Sequence, residues 1–219
     1  MTAGIQIINQ STGSIQIDQN FSNYALVQKQ THTTVAQTPG VGGGVFNSSL
    51  TLTFNGVYPI IALQCAANVG MRSSVASGSS WTFVFYCTGV AGTAINIYIF
   101  DVTSQAIPAD RFGLEIFDAS GNPVFHSGMK FMRVLDMQSN TGVYGYGSLN
   151  VAAVICNQGG RYQISGTTQS RFIDTIRTSG AAFAIEEKLD QSNGVGTRGS
   201  TMEAFTAPGL YMPIDVTNY

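Results

Sequence analysis

The sequence predicts an all-β protein, an antiparallel β-sandwich with long Gly/Ser/Thr-rich loops. Apolar and polar residues alternate with period two in short runs from one end of the chain to the other, about every 10–20 residues. Clusters of Gly, Ser, Asn, Asp and Pro punctuate these runs and supply turns. Composition argues against long helices, because 25 of the 219 residues are Gly and only 10% are charged, leaving few Lys and Glu. Hydrophobic residues make up 44%, enough to build a sizeable core. The whole chain, 1–219, reads as one domain, and the best candidate boundary lies at 138–147.

Gly4–Ile8 and Ile15–Asp18 are two alternating runs joined through Ser11-Thr12-Gly13, a hairpin at the start of the chain. Phe21 and Tyr24 precede a third strand, Ala25–Lys29, and Gln30–Val45, with THTT and PGVGGG, reads as a loop. Ser49–Phe54 alternates up to the Asn55-Gly56 turn, and Pro59–Cys65 is an apolar run suited to a buried strand. Ala66–Ser80 is rich in small residues and reads as loop. Trp81–Cys87 and Ala94–Phe100, linked by Thr88–Gly92, read as a second hairpin.

The clearest strand–turn–strand signal lies in Arg111–Asp136. Phe112, Leu114 and Ile116 alternate, Asp118–Pro123 breaks the run, and Val124 and Phe125 resume it. Those five apolar residues are expected in the core, and Lys130–Asp136 adds a strand. Gln138–Gly147 reads as a loop carrying Tyr144 and Tyr146. Leu149–Cys156 and Arg161–Ser165 flank Asn157–Gly160 as a third hairpin. Thr167–Thr178 is ambiguous, Ala181–Leu189 is a strand or one short helix, and Gln191–Ser200 reads as loop. Met202–Phe205 and Met212–Val216 are closing strands.

Net charge is −2, from 10 basic and 12 acidic residues, so the basic excess of a nucleic-acid binder is missing. No polybasic patch and no apolar run of about 20 residues points to a membrane. MTAGIQIINQ has neither a basic nor an apolar leader region, so no signal peptide is expected. Cys65, Cys87 and Cys156 are odd in number, widely spaced and set in strand-like runs, which predicts reduced core thiols.

No pattern of catalytic residues stands out, and neither enzymatic activity nor a cofactor is expected. His126 and Ser127 follow Asp118, but neighbours on a strand point to opposite faces. Two histidines, His32 and His126, have no metal-ligand spacing. Asp118–Asn122 begins like a calcium loop but lacks its later acidic residues, so it reads as a turn. Glu186 and Glu187 would diverge on a strand, and Glu115 and Asp118 read as solvated charges. Gly40–Gly44 lacks the Lys-Ser/Thr of a phosphate cradle. Tyr144, Tyr146 and Tyr162, with nearby amides, form the candidate ligand surface, because aromatic rings stack on sugars.

Two segments carry a family resemblance. GIQIINQSTGSIQIDQNFSNYAL at the N-terminus resembles the opening of small structural tail proteins of long-tailed bacteriophages. RFGLEIFDASGNPVFHSGMKFMRVLD is similar to their second signature, through Phe112-Gly113-Leu114, Ile116-Phe117-Asp118, Gly121, Val124-Phe125, Ser127, Lys130 and Arg133. Together they span about a quarter of the chain. The resemblance implies a virion component of the distal tail (tail tip, baseplate or fibre attachment), made in the bacterial cytoplasm. It implies other tail proteins as partners and a homo-oligomer, trimer or ring, with Lys130 and Arg133 as subunit contacts. The second functional expectation is a module that binds a host-surface glycan or protein.

Overall fold

The structure is a computed structural model and describes residues 6–8, 15–18, 23–37, 44–110, 112–165, 168–194 and 202–219. The described residues are nearly all β. In chain order the strands are β1 (Gln6–Ile8), β2 (Ile15–Asp18), β3 (Tyr24–Thr33), β4 (Val35–Ala36), β5 (Ser48–Asn55), β6 (Ile60–Gln64) and β7 (Val69–Ser77). β8 (Ser80–Cys87) and β9 (Ala94–Val102) follow, then a single 3-10 turn at Thr103–Gln105. β10 (Glu115–Phe117), β11 (Pro123–His126), β12 (Arg133–Val134) and β13 (Gly142–Gly145) are short. β14 (Val151–Asn157), β15 (Gly160–Ser165), β16 (Thr168–Ser179), β17 (Ala182–Gly194), β18 (Met202–Ala207) and β19 (Leu210–Asp215) complete the chain.

These strands form two large antiparallel sheets and two lone hairpins. One sheet has six strands in the order β12-β19-β14-β6-β9-β3. The other has nine, with β13-β17-β16-β7-β8-β5-β4 in line and β15 and β18 branching from β16. β1 pairs with β2, and β10 with β11, as separate two-stranded sheets. The two large sheets share one core. Ile61, Leu63, Ile97 and Ile99 of the six-stranded sheet pack in one cluster with Leu52, Phe83, Phe85 and Phe183 of the nine-stranded sheet. A second cluster, including Ala62, Tyr98, Phe100 and Ile214, lies on the other face of the six-stranded sheet. β9 is therefore buried on both faces, which explains its nearly unbroken apolar run.

Most expected strands lie where the alternation put them, and the hairpin between β1 and β2 is present. Its turn at Ser11–Gly13, Phe21 and residues 38–43 of the TPGVGGG stretch lie outside the described residues, as does Arg111. Ala181–Leu189 is strand from Ala182 on, part of β17, and β16 pairs with β17 from Thr168 to Ser179.

Several expectations are corrected, among them the loop expected from Gln191, where β17 continues to Gly194. β8 and β9 do not pair as a hairpin: β8 lies between β5 and β7, and β9 between β6 and β3. The link between them crosses from one sheet to the other, so Phe83 and Phe85 meet Ile97 and Ile99 through side chains in the core. β14 and β15 likewise belong to different sheets. The loop expected at Ala66–Ser80 is mostly β7, whose outer end is exposed on both faces and so shows no apolar alternation. The loop expected from Gln30 is strand to Thr33 and again at Val35–Ala36, and Gly142–Gly145 of the expected Gln138–Gly147 loop pairs with β17.

Burial in the hairpin of β10 and β11 divides sharply. Ile116 and Val124 are buried, but Phe112 is 91% exposed and Leu114 52%. Gly113, at φ 145°, turns the chain before strand pairing begins, and a Cβ there would sit 2.3 Å from Ser127 Oγ. Phe125 is half-buried and stacks on Phe131 at 5.4 Å.

Cys65 and Cys87 are buried free thiols, as expected, but Cys156 is exposed, at the bulge where β14 slips register against β19 between Ile155 and Asn157. The native protein is expected to give one equivalent with a thiol reagent such as DTNB and three after unfolding. Three equivalents without denaturant would show that the core thiols are reachable.

Candidate functional site

The most built site of the molecule lies where the nine-stranded sheet forks. One edge of β16 is paired with β17 throughout. The other edge is divided: β15 takes Thr168–Ile173, and β7 takes Ile176. β7 and β15 diverge from this edge and leave a cleft of about 310 Å³ between them. Met71, Phe172, Ile173, Tyr162 and Ala207 supply its apolar and aromatic walls, and Arg72, Arg161 and Arg171 its charge.

Two β-bulges aim the charged groups. β7 slips register between Met71 and Ser73, so Arg72 is the extra residue. β17 pairs Gln191 with Arg171 and Leu189 with Phe172, so Asp190 is the extra residue there. A bulge redirects the side chain it adds. Here both meet: Arg72 Nη1 lies 3.0 Å from Asp190 Oδ2, and Arg171 Nη1 lies 3.4 Å from the same oxygen. The Asp190 side chain is 2% exposed, whereas the two arginines keep 30% and 29% of theirs exposed. Arg161 grips Glu187 with two parallel bonds, 2.8 Å from Nε and 2.9 Å from Nη2. Its guanidinium lies 4.4 Å from the Phe172 ring centre, while that of Arg171 lies 6.0 Å from Tyr162.

The floor of the cleft is tightly tied. Gln158 Oε1 accepts the Met71 N–H at 2.7 Å, and its Nε2 donates to the Asp174 carbonyl. The Gly159 N–H donates to Tyr211 Oη at 3.1 Å. A Cβ on Gly159 would lie 2.5 Å from the Gly209 nitrogen, so this approach needs glycine. Burial pushes Asp174 above the usual carboxylate range, with the charge of Glu187 adding to it. On the adjoining stretch Lys188 and Arg177 pull Glu186 down to about 2.

The ligand surface read from the sequence is not assembled. Tyr144 and Tyr146 turn inward and pack on the shared core. Tyr144 stacks on Phe183 at 5.9 Å and donates to the Asn140 carbonyl at 2.8 Å. Tyr162 lies at the fork, separated from Tyr144 by the run of β17 from Phe183 to Gln191. At about 3.3 Å per residue that is roughly 25 Å. Only Tyr162 lines a cleft with charged groups.

Lys130 and Arg133, by contrast, meet over one ring. Their cationic groups lie 5.9 and 4.7 Å from the Tyr219 ring centre. Arg133 also bonds the Thr217 carbonyl at 2.5 Å and lies 3.3 Å from Asp215. It remains 46% exposed and belongs to β12, an edge strand of the six-stranded sheet.

His126 and Ser127 do not cooperate. His126 is 1% exposed, its Nδ1 accepts the Gly128 N–H at 2.9 Å, and its Nε2 lies 3.9 Å from Glu115 Oε1. Ser127 Oγ accepts the Leu114 N–H at 3.2 Å. Asp118 closes its own turn by accepting from the Ser120 and Asn122 N–H groups and from the Asn122 side chain. Asn122 is also the main reason its carboxyl lies below the ordinary value. Among the described residues no group of three or more His, Cys, Asp or Glu could hold a metal ion, and no helix is long and apolar enough to cross a membrane.

Sequence reasoning missed the fork. Arg72, Arg161, Arg171 and Asp190 are scattered over more than half the chain, and Arg72 and Asp190 meet only because each is the extra residue of a bulge. The one linear trace is the opposed charge of Arg161 and Arg171 against Glu187 and Asp190. The chain matches no protein-family model, no curated protein and no solved structure with which it was compared.

Proposed function

We propose that this protein is a structural component of the distal tail of a long-tailed bacteriophage, at the tail tip, baseplate or fibre attachment, and that it works by oligomeric assembly. On this reading its two sheets are the layers of one antiparallel sandwich, supported by the core they share. It is made in the bacterial cytoplasm, joins other tail proteins in the virion, and catalyses nothing.

The observation that carries the reading is where the two resembling segments fall. Each contains one of the two lone hairpins, β1–β2 and β10–β11. An isolated two-stranded hairpin is marginal in water and has open edges on both sides. The second also carries Phe112, Leu114 and Phe117 at 91, 52 and 44% exposure. Apolar side chains beside open strand edges suit a surface that a neighbouring subunit covers. Lys130, bonded to β3 through its carbonyl, and Arg133, on β12, supply the polar rim of that contact.

Labelling the chain and locating it in purified virions by electron microscopy tests the assignment. Density at the distal tail is expected, and virions without the chain would end the proposal. Phe112→Asp is expected to reduce incorporation at least several-fold while leaving the free protein folded. Normal incorporation of that variant would remove the hairpin from the interface.

The arginine-lined cleft favours a second reading, a tail-borne module that recognises the host surface. Purified protein that binds host cells and competes with infection would support it.

A further inference from the structure

We infer that the cleft at the fork of the nine-stranded sheet binds the oxyanion of a small acidic solute, a carboxylate or a phosphate, through Arg72 and Arg171. The inference rests on the second reading and names the chemistry of its ligand.

Charge stoichiometry is the first argument. Arg72 and Arg171 share a single carboxylate oxygen, so two cations are held by one buried anion. The third arginine of the cleft, Arg161, is already matched by Glu187. Among the described ion pairs of the cleft, three guanidinium groups meet two carboxylates, Asp190 and Glu187. Asp174, another described carboxyl nearby, lies behind Gly159.

Donor geometry is the second. A guanidinium has five N–H donors in a planar fork. Asp190 engages one nitrogen of Arg72 and one of Arg171, and both side chains still line the cleft. A carboxylate or phosphate can take two parallel N–H bonds from such a fork. Asp190 holds both arginines in place before a ligand arrives, which lowers the entropic cost of binding.

The walls set the size and character of the ligand. Phe172, Ile173 and Met71 make the surroundings apolar, which strengthens an ionic contact relative to open water. About 310 Å³ lies at the lower end of small-molecule sites. It suits a phosphate or a single acidic sugar rather than an extended chain. A mere staple of β7 to β17 would need one arginine, not two aimed at the same oxygen.

Isothermal titration of the full chain at low ionic strength tests this with inorganic phosphate, glucuronate and glucose as probes. Saturable binding of phosphate, glucuronate or both is expected, with none of glucose. Phosphate alone would point to a phosphorylated solute, and glucuronate alone to a carboxylated sugar. Arg72→Gln and Arg171→Gln should each weaken binding at least tenfold, while Arg177→Gln, whose partner Glu186 lies outside the cleft, should not. Thermal melts check that the variants fold. If the arginine variants do not, Arg72→Lys and Arg171→Lys keep a cation beside Asp190 but lose the planar fork, and should still weaken phosphate binding. No saturable binding of either anion by the unaltered chain, or equal weakening by Arg177→Gln, would overturn the inference. Host-cell binding that persists without anion binding would sink the inference and leave the second reading standing. Anion binding without host-cell binding would do the reverse.

Discussion

Phe183→Ala is expected to lower the unfolding free energy by about 3–5 kcal/mol. Phe183 is fully buried in the core that the two large sheets share. Its removal costs the transfer energy of the ring and leaves a cavity that paired strands on both sides cannot close. It also removes the platform on which Tyr144 stacks. β13 pairs with β17 through Gly142–Gly145, and Tyr144 faces Phe183 in that register. The loss should therefore be local as well as global. Urea unfolding measures the first, and faster amide exchange over residues 142–145 measures the second. A loss below about 1 kcal/mol would mean that the site collapses freely, contrary to the packing described.

Asp101→Ala is expected to cost about 2–4 kcal/mol, and Asp101→Asn about half of that. Asp101, next to last in β9, has no exposed surface, yet it is acidic. Its oxygens accept the N–H groups of Val57 and Tyr58 at 2.8 and 3.0 Å, and that of Val102 at 2.8 Å. One carboxylate thus pins the turn between β5 and β6. Alanine leaves these donors without their acceptor, whereas asparagine keeps one acceptor oxygen. A cavity in place of the carboxylate is a smaller part of the loss, so serine, equally short but polar, should recover some of it. Equal stabilities for the alanine and asparagine variants in urea would show that the hydrogen bonds carry little.

Much of the strand content was legible because period-two alternation reports which face of a strand is buried. Ser49–Phe54 and Trp81–Cys87 are clear cases, and both lie within strands of the nine-stranded sheet. Alternation does not report the partner. Trp81–Cys87 and Ala94–Phe100 are apolar, adjacent in sequence and separated by a turn-rich link, as a hairpin would be. Their side chains meet across the core instead of their backbones pairing across a ladder. The same apolar pattern serves both arrangements. Phe112 and Leu114 failed for a local reason, since Gly113 turns the backbone before pairing starts and alternation there has no face to follow.

The fork cleft was the least legible feature. Tyr162 was among the candidate residues, but as a partner of Tyr144 and Tyr146, which the fold packs into the core. Arg72 and Asp190 take their directions from bulges, and a bulge depends on how two strands are paired rather than on either strand alone. The sequence by itself determined the class of the protein, all-β, through alternation and the scarcity of helix-forming charged residues. It also determined the Asp118–Asn122 turn, through side chains that bond their own backbone. Only the tertiary structure decided which strands share a sheet and which arginines share a carboxylate. Those depend on contacts between residues far apart in the chain, and short-range periodicity carries no record of them. Arg111–Asp136 joins the two levels: its turn and the exposure of Phe112 follow local rules, while the burial of Ile116 and Val124 is set by what packs on the hairpin in three dimensions.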